Sequence, residues 1–338
     1  MSAAVQTNKS SAWKYMWRIV TFSPWVYLGI CLLRLVIFAV AQQAIGLIMR
    51  AFFDRLTGSA QAGINVWGLS ALIVAVAVGR SAFIVVDVAL HNLFRFTGAA
   101  MLRKNLFNRI LQRPGAQAVP GSPGEAVTRF REDVEMVINF LLQLPFSLST
   151  GAFSVVALVI MLQINARITL LAFLPLVLVV ILVNLVIQSI QKYYRLSREA
   201  TGGVTDFIGE VFRSVQAVQV AVAEEYIADH FDQLNDARLR SSLKMNLLMQ
   251  GIQSFLRNIS SLGTGVILLL AGGAMRSGTF TVGDFALYTF YLAQVADFTT
   301  GVGMLIAGYR QVEVSFNRLG YLLQGAPLEM LVEHSPVY

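Results

Sequence analysis

The feature that most constrains this chain is apolar sequence that continues, unbroken, well past the thickness of a bilayer. Ile64–Gln112 contains no proline; its first half is nearly all apolar (LSALIVAVAVGRSAFIVV) and its second half is amphipathic and basic (LFRFTGAAMLRKNLFNRILQ). As one helix it extends roughly 70 Å at 1.5 Å per residue, against about 30 Å of hydrocarbon. Tyr226–Met275 repeats the design in reverse, with a charged, helix-favouring start leading to an apolar run that ends LLLAGGAM. Channels and most secondary transporters have no need of such stalks. A membrane device worked from outside the bilayer does.

Composition agrees. The chain is 56% hydrophobic and 13% charged, where a soluble domain carries about 25% charged residues, so a soluble globule and a disordered chain are both excluded. The net charge of +7 does not point to nucleic acid, because the basic residues form no single stripe interleaved with exposed aromatics. They sit between the apolar runs, as in cytoplasmic loops. The single cysteine, Cys31, lies inside the first apolar run and reads as small apolar filler; no intrachain disulfide can form.

At the N-terminus, Ala39-Val40-Ala41 has the look of a signal-peptidase site, but Arg34 interrupts the apolar core before it and the pattern continues through AIGLIM. An uncleaved first membrane helix is expected. Before it, Trp13, Met16, Trp17 and Val20 share a helical face flanked by Lys14 and Arg18, the pattern of an interfacial helix lying on the cytoplasmic leaflet.

Six spanning segments follow, near Trp25–Arg50, Ile64–Leu90, Pro145–Leu162, Ile168–Ile190, Leu256–Met275 and Asp284–Ile306. The fold class is therefore an all-α membrane protein of six long helices with cytoplasmic extensions. The connections Gly58–Gly63, Gln163–Arg167 and Arg276–Gly283 are short. The other two are long, helical and basic, carrying Arg95, Arg103, Lys104 and Arg109 in one and Lys192, Arg195, Arg198 and Arg213 in the other. That bias puts both termini and both long connections in the cytoplasm of a multi-pass protein of the cell membrane. Pro114, Pro120 and Pro123, among Gly115, Gly121 and Gly124, mark the turn of the first long hairpin, and bends are expected at Pro145 and Pro175.

Four elements in this order resemble the membrane half of ATP-binding-cassette (ABC) exporters, over almost the whole chain. After LRKNLFNRILQ and the Pro/Gly turn, Gly124–Val137 (GEAVTRFREDVEMV) is similar to the family's Gly-Glu-x-x-x-Arg-x-x-x-Asp-Val element. Phe207 to Glu210, followed by Ala223-Glu224-Glu225, resembles the helix that precedes a short cross-helix and a charged pair. Thr281-Val-Gly-Asp284 resembles the opening of the sixth helix, and Val314–Leu323 the Arg-containing exit helix. The resemblance implies a type-1 transmembrane fold working as a homo- or heterodimer, with nucleotide-binding domains as partners and a hydrophobic or amphipathic drug, lipid or peptide as substrate. It divides the chain into a tail and elbow helix (1–23), a six-helix domain (24–323) and the start of a linker toward an ATPase domain (324–338). It also implies motor contacts at Gly115, Gln117 and Val119 in the first hairpin and at Glu210, Phe212, Arg213 and Ser214 in the second. Two departures stand out: the first tip, Pro114 to Pro120, lacks the family's usual aromatics, and Ser214 and Gln219 replace its usual Gly and Lys.

No nucleophile, metal or acid–base constellation is present in the sequence pattern, and His91, His230 and His334 are scattered. None of the five lysines follows a glycine, so no phosphate-binding loop can be placed. The resemblance puts ATP and Mg in a nucleotide-binding domain outside these residues; the assembled transporter, not this chain, would hydrolyse ATP. Within the membrane segments, Arg34, Arg80, Asp87 and Asp297 are each costly, by about 2.5–3.5 kcal/mol on insertion scales. Two fates are open to them. Together with Gln294, Thr299 and Thr300 they line a wet cavity that meets substrate, or they pair between helices and fix packing. Tyr288, Phe290, Tyr291 and Phe298 recur along the sixth segment, for binding or for packing. The alternative to an ABC exporter is a motor-independent six-helix permease or channel, which has little use for the stalks and the exit helix.

The charge bias places Ser59, Asn165 and Ser277 outside the cell. With Cys31 replaced, single cysteines at these positions should react with an impermeant thiol reagent added to intact cells. Protection of all three, with labelling near Ser122, would reverse the orientation.

Overall fold

The computed structural model describes residues 11–59, 63–112, 120 and 122–334, and the described residues are helical almost throughout. The chain runs α1 (Ser11–Phe22), α2 (Pro24–Leu35), a π-turn (Val36–Val40) and α3 (Ala41–Leu56). Then come α4 (Val66–Leu111), α5 (Pro123–Thr128), a second π-turn (Arg129–Asp133) and α6 (Val134–Arg213). The series closes with α7 (Val215–Val220), α8 (Glu224–Arg276), α9 (Val282–Leu322) and a 3₁₀ helix (Leu328–Val332). Among the described residues, five helical stretches are long and apolar enough to cross a membrane: Pro24–Leu56, Val66–Leu111, Gly124–Val179, Glu224–Arg276 and Val282–Leu322. The long helices expected from the missing prolines are there, at 46 residues in α4 and 53 in α8.

The third and fourth expected segments are two helices that join across a kink within α6. The short connection expected at Gln163–Arg167 is a break in that helix. Asn165 alone leaves helical geometry (φ −155°, ψ 100°); Pro145 and Pro175 stay helical, and the Leu141 carbonyl, which Pro145 has no N–H to serve, accepts from the Tyr27 hydroxyl at 3.0 Å. The groups freed there find partners in α9. The Tyr288 hydroxyl donates to the Met161 carbonyl and accepts from the Asn165 N–H at 3.2 Å. Thr169 Oγ1 donates to the Asn165 carbonyl at 2.8 Å, and Asn165 Oδ1 caps the next turn by accepting from Ile168 N at 3.1 Å. A helix can stop and restart this way because its orphaned groups are satisfied by side chains.

The chain divides into two compact units. The larger comprises residues 1–169 and 267–338, with a core at its base. Met16 and Ile19 of α1 pack with Phe94 and Leu102 of α4, Ile138 of α6 and Phe316 of α9, all buried. Each such side chain contributes about 1.5–3 kcal/mol. This sorts the elbow helix differently from the face expected of it. Met16 and Val20 turn inward with Tyr15 and Ile19, whereas Trp13 and Trp17 face out. The smaller unit, Leu170–Val266, is a helical hairpin closed by α7. Ser197 and Ser242 meet hydroxyl to hydroxyl at 3.1 Å, and the Phe207 and His230 rings stack edge to face at 5.0 Å.

The start of α9 shows why Thr281-Val-Gly-Asp284 has those residues. Thr281 Oγ1 accepts from Asp284 N at 2.9 Å and the Asp284 carboxylate accepts from Thr281 N at 3.0 Å, a complete capping box. Arg50 of α3 pairs with Asp284 at 2.8 Å, and Asp54 accepts from Gly283 N at 3.0 Å. The two helices come so close that a Cβ on Gly283 would lie 2.2 Å from the Arg50 carbonyl oxygen. Gly283→Ala should therefore push α3 and α9 apart and destabilise the protein by about 1–3 kcal/mol, read as a lowered midpoint of thermal unfolding in detergent. An unchanged midpoint would mean that the contact yields freely.

Candidate functional site

Two groups of residues are candidates: charges within the apolar segments, and the tip of the second long hairpin. Arg34 comes from α2, and Asp87 lies one turn before His91 on α4. All three meet in the larger unit. Arg34 Nε pairs with the Asp87 carboxylate at 3.1 Å, Nη1 donates to the Leu142 carbonyl of α6, and Nη2 lies 2.7 Å from His91 Nδ1. Arg34 and Asp87 are buried. One guanidinium thus ties three helices together, and of the two fates open to this pair the structure gives it interhelical pairing. Arg80, seven residues and two turns before Asp87, goes elsewhere. Its guanidinium lies 5.7 Å from the Phe38 ring centroid, and the Gln42 side-chain oxygen, turned toward it, accepts from both Nη atoms at 3.1 Å.

Gln294, Asp297 and Thr300 share the outward side of α9. Gln294 is half-buried, and Asp297 and Thr300 are exposed. The hydroxyls of Thr299 and Thr300 are used within the helix, donating to the Val295 and Ala296 carbonyls. Among the described residues Asp297 forms no ion pair. Arg34, Arg80 and Asp87 therefore do not gather with Gln294, Asp297 and Thr300 around one set of contacts; the charges divide into a paired group and an open one. The aromatics divide too. Tyr288 and Tyr291 are fully buried. Tyr288 serves the Asn165 break, and Tyr291 donates to the Gln43 carbonyl at 3.2 Å with its ring edge-on to Phe153.

At the second hairpin, α6 ends at Arg213 and α7 crosses over to α8. Ser214 turns the corner, its N–H and Oγ both donating to the Glu210 carbonyl, at 3.1 and 2.8 Å. Glu210, Phe212 and Arg213 are exposed, Phe212 at 76%. Val220 and Val222 are exposed beside them, and Val222 holds φ +53°, a left-handed conformation that costs a β-branched residue about 1–3 kcal/mol. Gly115, Gln117 and Val119, expected at the tip of the first hairpin, lie outside the described residues.

Sequence reasoning did not find the joint between the first and fourth family elements. Asp133, at the end of the π-turn, is buried and accepts from Ser315 Oγ of α9 at 2.8 Å, with Arg318 at 3.8 Å. Burial pushes its carboxyl above the usual range, opposed by the Ser315 hydroxyl and then by Arg318 and Arg129. Arg129 also lies 4.9 Å from the Tyr321 ring centroid. Glu135 holds Arg95 at 2.8 Å and Arg103 at 3.0 Å. The signal was available, since Arg129, Asp133, Ser315 and Arg318 all belong to the motifs already singled out; their pairing was not.

These features define a multi-pass, all-α membrane domain of the type-1 exporter fold, with helical extensions beyond the apolar segments. Residues 28–297 match the ABC transporter transmembrane region, and the chain belongs to that family. Proteins of Staphylococcus aureus strains NCTC 8325, COL and MSSA476, each named as a multidrug export ATP-binding/permease protein, are 22% identical over 192 residues. The match covers 56% of this chain and 33% of theirs, about a third of the relatives' length.

Removing one partner from the Arg34–Asp87 pair leaves a charge without its counter-ion, which costs about 3–5 kcal/mol. Asp87→Leu alone should lower thermal stability in detergent by that order, and Arg34→Leu with Asp87→Leu should recover much of it. A double variant worse than the sum of the singles would mean that Arg34 holds the helices chiefly through Leu142 and His91.

Proposed function

We propose that this chain is the membrane half of an ATP-driven exporter that moves a hydrophobic or amphipathic compound by alternating access. It acts as a dimer of such domains, with nucleotide-binding domains seated on its cytoplasmic hairpins. What supports this most is the hairpin tip. α8 runs from Glu224 through charged sequence for roughly 45 Å, at 1.5 Å per residue, before its apolar stretch near Leu256. At its end Phe212, Val215 and Val220 lie exposed in water. An exposed aromatic on a polar stalk fits a pocket on a partner. The ATP and Mg of the cycle belong to the nucleotide-binding domains, and this chain contributes the lever and the pathway. The relatives' name supports export, and Asp297 with Gln294 and Thr300 is the part of α9 offered to substrate.

Lever and pathway separate by experiment. In the assembled transporter, Phe212→Ala should weaken motor seating by about 2 kcal/mol and lower transport per ATP hydrolysed, with membrane insertion unchanged. Asp297→Asn should instead change which compounds stimulate hydrolysis. Substrate-stimulated ATPase and vesicle uptake measure both. Normal coupling in Phe212→Ala would remove the lever, and a silent Phe212 beside a dominant Asp297 would favour a motor-independent permease.

A further inference from the structure

The chain leaving α9 does not hang free of the larger unit. After Leu322, Gln324 and Gly325 take successive left-handed conformations (φ 51° and 84°) and turn the backbone. Pro327 then opens the 3₁₀ helix, whose Leu331 and Val332 are buried in the same core as Met16 and Leu102. Leu328 lies against Gly320, where a Cβ would come within 3.0 Å of its Cδ2.

Polar contacts fasten this segment from two sides. From α4, Asn105 Nδ2 spends both of its hydrogens on backbone carbonyls, those of Leu331 at 3.0 Å and Glu333 at 2.8 Å. From α1, Lys14 pairs with Glu329 at 3.1 Å and the Tyr15 hydroxyl donates to the same carboxylate oxygen at 3.5 Å. His334 Nε2 lies 2.9 Å from the Arg18 carbonyl, and its ring meets Phe22 edge-on at 5.6 Å. Such attention to the backbone of a short segment is not needed to end a helix, because Leu323 N already bonds back to Leu319 and Gly320.

We propose that Leu328–His334 is a clasp fastening the chain beyond the exit helix to the elbow helix and to α4, with Asn105 and Glu329 as positioning residues for energy coupling. This rests on the reading that a nucleotide-binding domain drives the chain. Under it, displacement of the motor reaches the membrane by a route separate from the hairpin tips. A pull on the chain after His334 is delivered to α1 and α4, not only along α9.

The test uses the transporter complete with its nucleotide-binding domains, in Asn105→Ala, Glu329→Lys and the charge exchange Lys14→Glu with Glu329→Lys. Amide hydrogen exchange across residues 328–334 reads the clasp, and compound transported per ATP hydrolysed reads coupling. Asn105→Ala should speed exchange at 331–334 by about threefold to tenfold, the range that loss of one or two hydrogen bonds supplies. It should lower the transport ratio with unstimulated hydrolysis unchanged. Glu329→Lys should speed exchange by about threefold, as for an exposed pair, and the charge exchange should restore both readouts. Unchanged exchange in both single variants would overturn the clasp. Faster exchange with an unchanged transport ratio would overturn the coupling role alone. Wild-type transport that needs no ATP would overturn the motor reading and the coupling role with it.

Discussion

Hydrocarbon supplies no hydrogen-bond partner, so each backbone N–H and C=O within it must be satisfied inside the protein. The rest of this structure follows from that constraint. It makes helices of 46 and 53 residues natural, since a helix that has not ended exposes nothing. It also sets the terms on which α6 is interrupted. The break at Asn165 is tolerated because Tyr288, Thr169 and the Asn165 side chain reclaim the freed groups. A tyrosine that looks like part of an aromatic binding wall is a backbone partner, buried completely. Arg34 obeys the same rule for charge, its donors directed to Asp87, a carbonyl and His91.

Much of the fold was legible. Missing prolines gave α4 and α8 to within a few residues, because helix length depends on local chemistry that a sequence displays. The break in α6 lies where the short connection Gln163–Arg167 was expected, but the tyrosine 123 residues away that holds it was not legible. The elbow helix was recognised, yet its inward face was misassigned: Trp13 and Met16 are one helical turn apart, and periodicity alone does not say which of two apolar stripes finds a neighbour. At the site, intramembrane charge marked Arg34 and Asp87 correctly as expensive. Their pairing was not legible, because a charge in a membrane segment advertises that it needs a partner and not which one.

The family elements at the base of the larger unit make sense as contacts rather than as words. Asp133 with Ser315, and Arg129 with Tyr321, join the foot of α6 to the exit helix; Glu135 draws in Arg95 and Arg103 of α4. At the other end of α9, Thr281 and Asp284 build the cap while Gly283 removes the atom that would hold α3 away. Both ends of α9 are thus fixed within the larger unit. Its middle, where Asp297 and Thr300 face outward, carries no such tie among the described residues.

The core that receives α1 also has a consequence for how the protein is made. Met16 and Ile19 pack against Phe316, Leu319 and Leu331, residues synthesised some 300 positions later. At ribosomal speeds the elbow helix therefore waits on the order of tens of seconds before its inner face has anything to bury against. Its other face, with Trp13 and Trp17 outward beside Lys14 and Arg18, has the chemistry to rest at a lipid–water boundary in the meantime. The inner face of α1 is buried only once α9 and the 3₁₀ helix after it have been made.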